Sequence, residues 1–193
     1  MKTKYLLIFA FSLSTFLKAQ TSEHLTFKGV PLDGKLIEFV TKMKSVGFTH
    51  LQTTDGVAFL SGDFAGYKKC MIGVSTLKQN DLVHKVIVAF PDLSTWGALE
   101  NNYLNIKSLL TEKYGEPSNV IEQFDSNVKL LDDNLRFTYL QLDQCKFHSV
   151  WDTNKGTIQL AIDHNGLESC FIKLVYFDKI NSDIIESTAK DDL

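Results

Sequence analysis

Two periodicities alternate along the chain. Apolar residues first recur at steps of three and four between Lys35 and Val46, where Leu36, Val40 and Met43 form one stripe. That spacing predicts an amphipathic helix, with Asp33 placed to cap its start and Gly47 its end. The same period returns more strongly at Trp96, Leu99, Tyr103, Ile106, Leu110 and Tyr114. Ser94 or Thr95 precedes this second helix as its N-cap; Gly115 ends it and Pro117 prevents its resumption.

Between the helices the period drops to two. Val57 to Ser61 and Tyr67 to Thr76 read as a hairpin around the loop Gly62-Asp63-Phe64-Ala65-Gly66. Val83 to Phe90 is a third strand, stopped by Pro91. After the second helix, Val120 to Phe124 reads as a short strand, and Leu135 to Leu142 with Cys145 to Trp151 as one bent strand or two. The turn Thr153-Asn154-Lys155-Gly156 leads into a strand from Thr157 to Asp163, and a turn over His164 to Glu168 into one from Cys170 to Phe177. A short helix from Asn181 to Lys190 closes the chain.

This order predicts an α+β fold: an antiparallel sheet with helices packed on one face, built as two tandem helix–strand–strand–strand units over residues 35–90 and 95–177. Strands that come in clusters, rather than alternating singly with helices, disfavour a parallel α/β sheet. Residues 20–193 fit one domain.

The first twenty residues change the picture. Lys2 and Lys4 precede an apolar run from Tyr5 to Leu17, and Ala19 offers a small residue for cleavage before Gln20, which is the pattern of a secretory signal peptide over residues 1–19. The run is too short for a bilayer span, which takes about 20 mostly apolar residues. No cysteine stands near the cleavage site to carry a lipid. A periplasmic or secreted product with no transmembrane segment is therefore expected. Its net charge, −3 for the whole chain, becomes three units more negative once Lys2, Lys4 and Lys18 are gone. Such an acidic chain has no affinity for nucleic acid or for anionic lipid surfaces.

Export also makes the three cysteines a question. None forms a C-x-x-C or Cys/His pair of metal-binding spacing. Cys70, Cys145 and Cys170 each lie among apolar same-face neighbours, so they read either as buried small hydrophobes or as containing one disulfide. Cys70 with Cys145 is the preferred pair, since each opens the comparable strand of its half.

Candidate chemistry is sparse. Of five histidines, His84 and His148 fall on polar strand faces and read as solvated. His164 follows Asp163, but neighbouring strand residues point to opposite faces and cannot form a dyad. No G-x-S-x-G, phosphate loop or dinucleotide fingerprint is present, so no cofactor, metal or catalytic residue is assigned. Asp125-Ser126-Asn127 and Asp132-Asp133-Asn134 lack the glycine and distal glutamate of a calcium loop and read as solvated loops. Trp96, Tyr103 and Trp151 belong to the core stripes. Phe64 and Tyr67 flank the Gly62–Gly66 loop, where an aromatic at a hairpin tip can contact a partner or a sugar, or fold back over the sheet.

Gly29-Val30-Pro31-Leu32-Asp33-Gly34 before a helix and Gly62-Asp63-Phe64-Ala65-Gly66-Tyr67-Lys68 in a hairpin resemble small secreted proteins of Bacteroidetes. Leu110-Thr111-Glu112-Lys113-Tyr114-Gly115-Glu116-Pro117, the ending Leu174–Asn181 and the Ala-Gln junction of the leader extend the likeness. The helix-plus-sheet repeat is also similar in architecture to beta-lactamase-inhibitor-like domains, without an identifiable inhibitory loop. The resemblance implies no catalytic residue. The expected function is a non-enzymatic, extracytoplasmic binding or interaction domain whose partner is another envelope or extracellular protein. The alternative is a secreted or periplasmic hydrolase of glycans or peptides.

Overall fold

The computed structural model describes residues 23–76, 81–129 and 132–191; the expected signal peptide and its Ala19–Gln20 cleavage site lie outside them. The described chain opens with a two-stranded ribbon, β1 (Thr26–Phe27) and β2 (Val30–Pro31), then α1 (Leu36–Ser45). A meander follows: β3 (Thr49–Thr54), β4 (Val57–Phe64), β5 (Tyr67–Thr76) and β6 (Val83–Ala89). After α2 (Trp96–Tyr114) come β7 (Asn119–Phe124), α3 (Asp133–Gln141), β8 (Cys145–Thr153), β9 (Gly156–Asn165), β10 (Ser169–Asp178) and α4 (Lys179–Asp191).

Eight strands form one antiparallel sheet in the order β3-β4-β5-β6-β10-β9-β8-β7. The α+β class and the antiparallel sheet with helices packed against it are as the sequence predicts. Period-two patterning explains the core. The cross-strand row Leu60, Ile72, Val88, Leu174, Leu160 and Ser149 is buried from end to end. The next row, Ala58, Val74, Val86, Tyr176, Ile158 and Trp151, is buried as well.

On this face α2 lays down the predicted stripe, with Trp96, Leu99, Tyr103, Ile106 and Leu110 all buried. Its cap is Thr95, whose side chain accepts a hydrogen bond from the Ala98 amide. The start of α1 differs from expectation. Lys35, not Asp33, occupies the N-cap and no side chain caps it, while Leu36, Phe39 and Met43 make the buried stripe. Asp33 instead lies near the His24 ring.

Two further expectations are corrected and one strand is added. Leu135 to Leu142 is not a strand: Asp132 accepts the Leu135 amide as an N-cap and starts α3, and Asp133 accepts the Gly97 amide and ties α3 to α2. β3 went unread because all six of its residues are exposed, so no alternation marks it. The Gly62–Gly66 loop is largely strand, since Phe64 pairs with Tyr67 and only Ala65-Gly66 turns. Their φ values of 51° and 87° suit the tight hairpin turn that needs positive φ at both central positions.

The two ends of the described chain meet at one buried carboxylate. Asp178 accepts the backbone amides of Leu25 (2.8 Å) and Asn181 (3.0 Å), and its second oxygen lies 2.9 Å from His24 Nδ1. Asn181, also buried, donates to the carbonyls of Leu32 and Val83. These bonds fix α4 at the strand ends where β6, β9 and β10 converge.

Candidate functional site

Cross-strand partners share a face, so the opposite side of the sheet follows from register. Its central row is Phe59, Gly73, Ile87, Val175, Gln159 and Val150. A second row runs Ser61, Met71, Ala89, Lys173, Ala161, His148 and Ile121. The first is apolar at the middle and the second has Lys173 between Ala89 and Ala161; most of these side chains stay partly exposed, and Met71 is 42% exposed. Polar groups punctuate the face. Lys173 pairs with Asp163 of the neighbouring strand, and the Lys85 ammonium lies 5.9 Å from the centroid of the Phe177 ring.

At the α4 end this face opens into a cleft of about 450 Å³, a size typical of small-molecule sites. The row Lys85, Phe177, Thr157 and Asp152 supplies three of its walls' side chains, Phe177, Thr157 and Asp152; Gln159 comes from β9, and Lys179, Ser182 and Asp183 from α4. Asp152 is held in place by two hydroxyls, Ser118 to one oxygen (2.8 Å) and Thr157 to the other (3.0 Å). The floor is tight. Gly156 approaches the Phe177 carbonyl so closely that a Cβ would collide with it, and its φ of 151° is one that side-chain-bearing residues rarely adopt.

The expected contact residues are placed elsewhere. The Phe64 ring stacks on Phe27 with centroids 4.9 Å apart, and the Tyr67 ring meets the Phe90 ring at 5.0 Å. The Tyr67 hydroxyl donates to Asn102 Oδ1 of α2. Both rings are half-buried against the core, and the exposed tip of the hairpin is Asp63, Ala65, Gly66 and Lys68.

No protein-family model matches the sequence. No curated protein and no solved structure matches it either.

The cysteines are all free, with Cys70 and Cys170 buried and Cys145 half-buried. The Cys70–Cys145 bridge is not formed, for a geometric reason. Four strand spacings separate β5 from β8, about 19 Å at roughly 4.8 Å each, far beyond the reach of a disulfide. Burial pushes all three thiols up, Cys145 to about 12, where Asp125 and Asp143 add to the effect.

Two histidines read as solvated are half-buried instead. Desolvation lowers both His84 and His148, helped by Lys85 in the first case and Lys146 in the second, while His148 also bonds the Gln159 side chain. His164 finds a carboxylate, though not its chain neighbour's. Its Nε2 lies 3.0 Å from Asp143 Oδ1, and that bond raises it above an ordinary imidazole. Among the described residues no group of three His, Cys, Asp or Glu side chains could hold a metal ion.

Sequence reasoning missed the cleft. Thr157 and Gln159 are polar because they alternate outward with Ile158 and Leu160, a signal that is legible in the sequence. Their convergence with Asp152 and Asp183 depends on register and on where α4 docks, which is not.

Proposed function

We propose that this chain is a non-enzymatic binding domain that works outside the cytoplasm and contacts a protein or envelope component through the outward face of its sheet. The single observation behind this reading is the apolar stretch Phe59, Gly73, Ile87 and Val175 on the outward face, part-exposed except at Val175 and resumed beyond Gln159 at Val150, with Met71 and Lys173 in the row beside it. An apolar band on a solvent-facing sheet, rimmed by polar groups, is the usual form of an interaction surface.

The reading includes a tandem construction, α1 with β3–β6 and α2 with β7–β10. Two features support it: each segment opens with a helix and contributes four strands, the second with α3 inserted after β7, and the last strands of each, β6 and β10, pair at the centre. Two halves joined in that way build one uninterrupted face from a modest chain. It also retains the periplasmic or secreted location drawn from the leader and the likeness to small secreted proteins of Bacteroidetes.

The test places a photo-crosslinking amino acid at Met71 in the full chain expressed in its native envelope, with Glu112 on the exposed side of α2 as control. A discrete product at position 71, absent at 112 and lost on Lys173→Glu, is the expected result. Equal products at both positions, or none at 71, would overturn the reading.

A further inference from the structure

We infer that the cleft between the end of the sheet and α4 is a binding site for a neutral saccharide. The claim goes beyond a protein contact on the central band, because apart from Gln159 the groups are different, and so is their chemistry.

The lining is built for a ligand with many hydroxyls. Asp152 and Asp183 accept hydrogen bonds, Thr157, whose proton goes to Asp152, accepts, and Ser182 and the Gln159 amide both donate and accept. A carboxylate has about four acceptor sites. Ser118 and Thr157 use one on each Asp152 oxygen, which leaves capacity for a ligand while holding the group still. A carboxylate fixed before binding loses little entropy on binding, and this is what makes a weak polar contact count.

Charge narrows the class. Asp152, Asp178 and Asp183 line the cleft against the single cation Lys179 and repel phosphate and carboxylate ligands, while among the described residues no three such groups stand close enough to hold a metal ion. What remains is a neutral molecule that spends hydroxyls on the polar rim. Phe177 supplies the complementary element. It lines the cleft beside Thr157, with the Lys85 ammonium over its ring, and adds an apolar surface against which the C–H face of a pyranose packs. The volume, about 450 Å³, accommodates a ligand of oligosaccharide type without closing over it.

The experiment is amide-resolved NMR titration of the full chain with two neutral probes, N,N′-diacetylchitobiose and maltose, each to millimolar concentration. Saturable shifts at Thr157, Gln159, Phe177 and Ser182 with either sugar, and none at Met71, are expected. Asp183→Asn and Gln159→Ala should each weaken that binding by about tenfold, the worth of one hydrogen bond to a charged or fixed polar group; the melting temperature should be unchanged for Asp183→Asn and slightly lowered for Gln159→Ala, which also removes the partner of His148. No shift at these amides with either sugar overturns the proposal. So do shifts that survive both substitutions, or equal shifts with calcium chloride, which would make the cleft a cation site. Because Met71 crosslinking is read separately, loss of one result leaves the other standing.

Discussion

The hydroxyls of Tyr103 on α2 and Ser149 on β8 lie 2.6 Å apart, both residues fully buried, and join the longest helix to the sheet through the core. Burial drives the Tyr103 phenol well above its ordinary range, with Glu122 adding to the effect. The pair is asymmetric. Tyr103→Phe leaves Ser149 without its partner and should cost about 1–3 kcal/mol, the penalty for a buried unpaired hydroxyl. Ser149→Ala leaves the phenol beside Glu122 and should cost less. Urea unfolding of the two variants checks the order, and a reversed order would remove Glu122 from the account.

Gly156 tolerates no side chain. An added Cβ meets the Phe177 carbonyl, a backbone atom that cannot rotate away, at a φ unfavourable for any L-residue. Gly156→Ala should destabilise by about 3 kcal/mol. Gly66→Ala at the hairpin tip, where open space surrounds the site, should cost only the strain of its φ of 87°. Thermal melts of the two variants separate the collision from the strain.

All three thiols should be reduced and slow. Intact mass should be the same before and after reductant, since the cysteines are free. Near pH 8 the folded protein should react with iodoacetamide far more slowly than the urea-unfolded chain. The Cys145 thiol, pushed up to about 12, has almost no thiolate to offer. Rapid native labelling at Cys145 would show that burial is not what governs it.

The histidines give stability two opposing dependences on pH. His84 and His148 are lowered in the folded state, chiefly by burial, so unfolding takes up protons. Their contribution is present above the unfolded value of about 6.5 and is lost as pH falls through the folded values below it. His164 is raised by Asp143, so its contribution is complete below about 6.5 and is lost as pH rises through the higher folded value. Urea midpoints across this range should flatten on the acid side for His148→Gln and on the alkaline side for His164→Gln. The same window affected by both substitutions would contradict the assignment.

How much the sequence reveals depends on which face a residue serves. α2 and the strands β4, β5, β9 and β10 were readable because burial on one side writes a period into the chain. α3 misled for the converse reason. Only Leu140 of it is fully buried, and the alternation of Leu135, Phe137 and Tyr139 imitates a strand, so its Asp132 cap outweighs its pattern. β3 carries no pattern because it buries nothing. Phe64 and Tyr67 are legible as hairpin residues, but the sequence leaves their direction open, because it is set by Phe27 and Phe90 from distant parts of the chain. The cleft was illegible because it depends on Asp152, Thr157 and Asp183 meeting across three elements.

The strand order has a bearing on how the molecule is made. β10 lies between β6 and β9 at the middle of the sheet, although it is the last strand in the chain. While a growing chain lacks residues 169–178, its strands form two separate groups, and β6 and β9 each face outward with an unpaired edge. The sheet can close only once residues 169–178 have been made. A chain that stops before residue 169 therefore carries two strand groups with exposed edges in one polypeptide instead of a smaller closed domain.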